Sequence, residues 1–269
     1  MSNQSAIITV MFRAARKAAG GLLRDFGEVS ELQVSRKGTM DFVTQSDLKA
    51  EKILREELSK ARPRYGFLLE EGGEVAGEDG EHRWVVDPID GTTNFIHAVP
   101  YFCISLALEK KRTDGWHPIA ALIYDPLRDE VFFAEEGKGG MLNDKRLRVS
   151  QRDSFDAALL VTHSLKHDSQ HFTKSTAMFS MMVANSKGVR MLGATALDLA
   201  YIAAGRLDGG WYSYFKRWDV AAGILLVKEA GGIVTTLDGS AHDSDSDNLL
   251  AANAKLHGQM TKLLSKAWK

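Results

Sequence analysis

Apolar side chains recur at helical spacing from the start of the chain. Ile7, Val10, Met11, Ala14, Ala18 and Leu22 fall three or four residues apart and predict an amphipathic helix over 5–26, ending near Gly27. A second stripe, Leu48, Ile53, Leu54 and Leu58, predicts a helix over 47–61, with Ser46 as its cap and Arg62-Pro63 as its stop. The pattern then shortens to apolar runs bounded by turn residues, which predict strands over 65–69, 83–86, 103–109, 117–124 and 130–134. Residues 72–80 are rich in glycine and acid and read as a loop, and 125–129 read as a turn.

Beyond Ser150 strands and helices alternate. Strands are predicted over 158–162, 233–236 and 249–252, and helices over 169–184, 194–205, 218–229 and from Ala254. Helices interleaved with sheets indicate an α+β or layered α/β sandwich. The length suits a single domain over 1–269, and the turn-rich stretch 140–155 divides it into halves of about 1–145 and 146–269.

Composition narrows the function classes. Hydrophobic residues make up 44% of the chain and the formal net charge is -1, with Lys and Arg scattered, so neither nucleic acid nor a membrane surface is expected as the main partner. The single cysteine, Cys103, lies in an apolar run and reads as a core residue; no disulfide can form within the chain. Basic residues interrupt the N-terminal apolar stretch, and no segment is long enough to span a bilayer, so a cytoplasmic protein is expected.

The chemistry gathers around Trp84-Val85-Val86-Asp87-Pro88-Ile89-Asp90-Gly91-Thr92-Thr93-Asn94-Phe95. A buried strand ends in two carboxylates three residues apart, with Pro88 and Gly91 shaping the turn. Two anions so close raise each other's pKa unless a cation lies between them. Oxygen ligands without Cys or His favour Mg²⁺ or a similar hard ion. Gly91-Thr92-Thr93 adds N–H groups and hydroxyls at a helix start, a ready place for phosphate. Glu70-Glu71 after a strand, Asp47 at a helix start and Asp219 opening the helix Trp218-Asp219-Val220-Ala221-Ala222-Gly223 can join this cluster. Each taken alone also reads as a solvated loop acid or a helix-capping residue. His97 reads as structural.

Together and in this order, these pieces resemble the inositol monophosphatase family of lithium-sensitive, metal-dependent phosphatases. The resemblance rests on Lys37-Gly38 through Asp41-Phe42-Val43-Thr44 and Asp47, on Glu70-Glu71, on 87–95, on 218–223 and on Glu229-Ala230-Gly231-Gly232, and it spans about 5–265. It implies a homodimeric α/β sandwich with two or three Mg²⁺ ions per active site. It implies Glu70, Asp87 and the Ile89 carbonyl as ligands of one ion, Asp87, Asp90 and Asp219 as ligands of a second, and Glu70 facing a third. Thr92, with Glu70 and Asp47, would orient the attacking water. Gly91, Thr92 and Thr93 would hold the phosphate of a small phosphorylated metabolite. Asp90 and Asp219 would also face the substrate, and Arg190, Ala194, Thr195 and Asp198 fall where the family lines the substrate pocket.

One position departs from the family. A glutamate that grips inositol hydroxyls stands seven residues before the Trp-Asp aspartate, and Tyr212 occupies that place here. Tyr212 can donate one hydrogen bond but brings no carboxylate. Lys216 and Arg217 read as surface residues, with Lys216 alternatively a partner for a second anionic group on the substrate. The expectation is a Mg²⁺-dependent phosphatase, with myo-inositol 1-phosphate as first substrate. The alternatives are another small ester (fructose 1,6-bisphosphate, histidinol phosphate or a nucleotide 3'-phosphate) or a non-catalytic interaction scaffold. The four acids Glu70, Asp87, Asp90 and Asp219 argue against the scaffold.

Overall fold

The structure, a computed structural model, describes residues 5–32, 36–163 and 169–268, and for 29–44 and 169–171 the backbone only. Two long helices, α1 (Ala6–Leu32) and α2 (Arg36–Ala61), open the chain. Strands β1 (Gly66–Leu69), β2 (Gly73–Val75) and β3 (His82–Asp90) follow, then the short helix α3 (Thr92–Ile96). Strands β4 (Cys103–Arg112), β5 (Gly115–Asp125), β6 (Glu130–Glu135), β7 (Gly139–Leu142) and β8 (Lys145–Arg146) come next. The remainder is β9 (Leu159–Thr162), α4 (Ser169–Asn185), β10 (Gly188–Arg190), α5 (Thr195–Ala203), β11 (Gly209–Ser213), α6 (Arg217–Glu229), β12 (Ile233–Thr235), β13 (Asn248–Ala252) and α7 (Ala254–Trp268).

Two sheets result, an eight-stranded one in the order β2-β1-β3-β4-β5-β6-β7-β8 and a five-stranded one in the order β10-β9-β11-β13-β12. Period-two alternation gives each sheet two apolar faces, and each face needs a cover. Trp84, Val86, Leu106 and Leu122 bury one face of the large sheet against Met11, Leu22, Leu54 and Leu58 of α1 and α2. Val85, Ala107, Ala121 and Ile123 bury the other face against α5 and α6, which also receive Val161, Tyr212, Leu249 and Ala251 of the small sheet. Leu160, Trp211 and Leu250 pack outward onto Met178, Met182, Leu256 and Met260 of α4 and α7. The order is helices, sheet, helices, sheet, helices, which is the layered sandwich expected from the alternating pattern.

Several expectations change. The first helix runs through Gly27 to Leu32, and the second begins at Arg36 rather than near Asp47. Asp47 therefore stands in the interior of α2, away from its N-terminus. Ser46 does not cap; its hydroxyl donates to Asp25 Oδ2 at 2.8 Å, joining α2 to α1. Ser, Thr and Asp between 41 and 47 imitate a cap in sequence, but 36–46 contains no proline and the partner helix favours continuation. The side chains of Lys37, Asp41 and Thr44 lie outside the described residues. The stretch 72–80 carries β2, paired antiparallel with β1. The 3–5-residue elements β7, β10, β11 and α3 carry too few residues for periodicity to reveal them.

Candidate active site

A β-bulge builds the first pair of carboxylates. Asp87 is paired with Ser105 and Asp90 with Cys103, so three steps on β3 match two on β4, with the register shift between Asp87 and Asp90. In an unbroken strand residues three apart point to opposite faces; one extra residue restores the phase. Pro88, which cannot donate a ladder hydrogen bond, sits at this irregularity. Both carboxylates therefore face the α5 and α6 layer, whereas Val86 and Ile89 face α1 and α2. Asp87 and Asp90 are 2% and 8% exposed.

Two neighbouring elements add acids. Glu70 follows β1, and its N–H donates to the Val86 carbonyl at 3.2 Å, placing it beside the end of β3. Its carboxyl lies near enough to that of Asp87 for the two charges to act on one another. Asp47 and Glu51, one turn apart on α2, are both buried, and Glu51 Oε2 accepts the Glu71 N–H at 2.9 Å. Sequence reading passed over Glu51; its position four residues after Asp47 on one helix face was the available signal. Glu71 itself is exposed.

Asp219 arrives on the first turn of α6, its Oδ2 accepting the Lys216 N–H at 2.9 Å. The arginine before it anchors that turn. Arg217 Nε donates to Glu109 Oε1 at 2.8 Å, while Arg83 Nε donates to Glu109 Oε2 at 2.9 Å. Glu109 is fully buried, and the Arg83 guanidinium lies 4.3 Å from the centre of the Trp116 ring. The surface reading of Arg217 does not survive: it neutralises a buried carboxylate. Lys216 is exposed.

The N-terminus of α5 closes the site from the second half of the chain. Asp90 Oδ1 accepts the N–H of Thr195 at 3.1 Å, and Oδ2 accepts those of Ala196 at 2.7 Å and Leu197 at 3.4 Å. The first N–H groups of a helix lack partners within it, and the helix dipole favours an anion there. Gly91 has φ of 98°, and a Cβ on it would lie 3.0 Å from the Tyr101 carbonyl oxygen and 3.1 Å from Ala194 Cβ. Only glycine combines that backbone with that space. Asn94 Nδ2 spans the same junction, donating to the carbonyls of Tyr101 at 2.7 Å and Leu192 at 2.8 Å.

Burial and mutual repulsion work on these acids together. Burial, then Glu70, Glu71 and Glu51, push Asp47 up to about 8. Burial, with Asp219 and the other acids adding, pushes Glu70 up to about 7 against an opposing effect of Asp87. Burial and then Asp219 push Asp90 up to about 8 despite its backbone donors, and burial with Glu70 raises Asp87 well above the carboxylate range. Asp47 Oδ1, Glu70 Oε2 and Asp87 Oδ1 are buried without a hydrogen-bond partner. Among the described residues, no three Asp, Glu, His or Cys side chains are gathered closely enough to hold an ion as they stand. The orphaned oxygens and the all-oxygen donor set nevertheless suit a hard divalent cation, which satisfies buried anions that nothing else here neutralises.

The groups expected to meet phosphate follow directly. The Thr92 hydroxyl donates to the Ile89 carbonyl at 3.0 Å, which leaves the Thr92 oxygen free to accept. Thr93 is exposed at the start of α3 and Ala194 is buried behind Gly91. His97 is an exposed residue whose N–H closes α3. Arg190 is exposed on the edge strand β10. Tyr212 is fully buried, and a Cβ on Gly210 would lie 2.8 Å from its hydroxyl, so the ring folds back along β11 into the core. Asp198 is also fully buried on α5, which removes it from any surface contact.

The model of the inositol monophosphatase family matches residues 3–269. The chain belongs to the inositol monophosphatase family. It is an enzyme, a phosphoric monoester hydrolase of that family. It is 49% identical to an inositol-1-monophosphatase of Caulobacter vibrioides over 96% of this chain and 100% of that one. It is 41% identical to the Nus factor SuhB of Pseudomonas aeruginosa over 93% of this chain and 92% of that one. The crystal structure of the extragenic suppressor protein SuhB from Bartonella henselae superposes with a TM-score of 0.87 at 45% identity, covering 97% of this chain and 99% of that one. No described helix is long and apolar enough to cross a membrane.

Proposed function

We propose that this phosphatase hydrolyses a small polyol phosphate, with myo-inositol 1-phosphate as its first substrate, and that it depends on Mg²⁺. The observation that carries the reading is the set of orphaned, buried oxygens on Asp47, Glu70 and Asp87. Glu70, Asp87 and the Ile89 carbonyl would hold one cation, and Asp87, Asp90 and Asp219 a second, with Glu70 facing a third. Bound there, Mg²⁺ lowers the pKa of water and offsets the charge of phosphate. Thr92 turns its hydroxyl hydrogen to Ile89 and presents its oxygen to a water, which Asp47 and Glu70 help to orient. Gly91, Thr92 and Thr93 offer the free N–H groups of the α3 start to the phosphate.

Tyr212 weakens the case for tight recognition of inositol hydroxyls. Its hydroxyl is sealed beside Gly210, and no carboxylate stands at that position of β11. The substrate's alcohol would then be selected by Asp90, Asp219 and the Ala194 backbone, and related esters such as fructose 1,6-bisphosphate, histidinol phosphate or a nucleotide 3'-phosphate would compete. The homodimer, cytoplasmic location and lithium inhibition implied by the family belong to the same reading.

The test is phosphate release across a panel of phosphorylated metabolites, with Mg²⁺ and with chelator. Release that requires Mg²⁺ and favours myo-inositol 1-phosphate is expected. Equal rates on unrelated esters would overturn the substrate, and no release from any ester would overturn the catalytic site. The likeness to a protein named a Nus factor favours a second reading, in which the fold serves as an interaction scaffold. A chain inert towards every ester would put that reading first.

A further inference from the structure

The carboxyl of Asp198 has no use in the chemistry above, yet the fold keeps it. It is 0% exposed in the first turn of α5. Its Oδ1 accepts the Tyr101 hydroxyl at 2.8 Å, and its Oδ2 has no hydrogen-bond partner. Leu197, Leu199 and Ile202 around it on α5 belong to the apolar core, where a leucine would pack without any desolvation cost. A buried carboxyl with a single neutral partner is an expensive choice for packing alone.

Its partner explains the choice. Tyr101 and Asp90 flank one short excursion of the chain, the segment containing α3. Asp90 grips the end of α5 through the N–H groups of Thr195, Ala196 and Leu197. Tyr101 grips the side of the same helix: its hydroxyl meets Asp198, and its ring meets Tyr201 edge to face at 5.7 Å. Asn94 ties the Tyr101 carbonyl to that of Leu192, just ahead of the helix. Remove the Tyr101–Asp198 bond and α5 can slide or turn against the segment that carries Asp90. Three N–H bonds of 2.7, 3.1 and 3.4 Å would then no longer fix both Asp90 oxygens at once.

We propose that Asp198, through Tyr101, is a positioning residue that sets α5 against Asp90 and so holds Asp90 in place for the cation. The inference rests on the reading of Asp90 as a metal ligand. Residues that hold a ligand from behind act on affinity as well as on rate.

Purified full-length protein is titrated with Mn²⁺ as a spectroscopic probe, by electron paramagnetic resonance, alongside Mg²⁺-dependent phosphate release and thermal melting. Tyr101→Phe keeps the ring and removes only the donor; it is expected to weaken Mn²⁺ binding about fivefold, the factor one hydrogen bond supplies. It should lower kcat more than it raises KM. Asp198→Leu should do the same more strongly, and Asp198→Asn, which keeps an acceptor of the same shape, should recover most of the loss. Tyr101→Phe folded and with wild-type Mn²⁺ affinity would overturn the proposal, as would Asp198→Asn no better than Asp198→Leu. Wild-type protein that binds no Mn²⁺ would instead sink the metal site itself.

Discussion

Asp90 Oδ2 accepts the N–H of Ala196 at 2.7 Å, across 106 residues of sequence. One carboxylate thus serves two purposes: it is a proposed cation ligand and the cap of α5. If Asp90 were a cation ligand and nothing more, Asp90→Asn would be a lesion of chemistry that spares the fold. The structure alters that expectation. An amide presents one NH₂ towards helix N–H groups, leaving donors facing donors. Asp90→Asn should abolish phosphate release and also lower unfolding free energy by about 1–3 kcal/mol. Denaturant unfolding beside activity checks both; full stability in an inactive variant would contradict the cap.

Glu109 should be one of the more sensitive positions outside the site. It is fully buried between Arg83 and Arg217, whose side chains are 10% and 11% exposed. Glu109→Ala would strip Arg217 of its buried counter-ion and leave Arg83 with only the exposed Glu74, 3.3 Å away, a loss of about 3–5 kcal/mol. Because Arg217 begins the turn that bears Asp219, activity should fall further than stability alone explains. Urea melts with rates measured on the folded fraction would separate the two effects.

Gly210 and Tyr212 should be coupled. A methyl at Gly210 would lie 2.8 Å from the Tyr212 hydroxyl and 3.0 Å from both Ile202 Cδ1 and Val161 Cγ1. Gly210→Ala should cost about 1–3 kcal/mol through overpacking. Tyr212→Phe removes a hydroxyl without a hydrogen-bond partner, so alone it should cost little. Combined, the phenylalanine should recover part of the alanine's cost. A double-mutant cycle by thermal melting checks this, and strict additivity would show that the hydroxyl does not occupy that space.

His242 gives the fold an acid sensitivity of its own. Burial, then the nearby cations Arg217 and Lys228, depress its pKa from 6.5 to about 4, against a smaller opposing effect of Asp243. Its Nε2 is buried without a partner, and the ring stacks on Phe215 at 6.2 Å. The folded chain therefore binds fewer protons than the unfolded chain between those values. Stability is constant above pH 7 on this account, falls as pH drops through 6.5, and levels off below 4, a loss of at most about 3 kcal/mol. His242→Leu should remove this share of the slope; unfolding curves for both proteins at pH 7.5 and 5 would show an unchanged slope if the idea is wrong.

Much of this protein is written locally. Helix stripes such as Ile7 to Leu22, strands such as Cys103–Arg112, and the sequence around Asp87 and Asp90 depend on neighbours a few residues away, which periodicity and turn chemistry report. The acids proposed for the cation site were nameable from sequence, and the buried Glu51 near them was overlooked. What sequence left open depends on partners far along the chain. Arg217 looked solvent-facing until Glu109, 108 residues away, proved to lie beneath it. Tyr212 looked like a substrate contact until β11 turned its ring toward Gly210. Ser46 looked like a cap until α1 supplied Asp25. Propensity fixes which face a segment offers; only closure of the chain decides what meets that face, because burial energies belong to pairs of distant residues and not to either one alone.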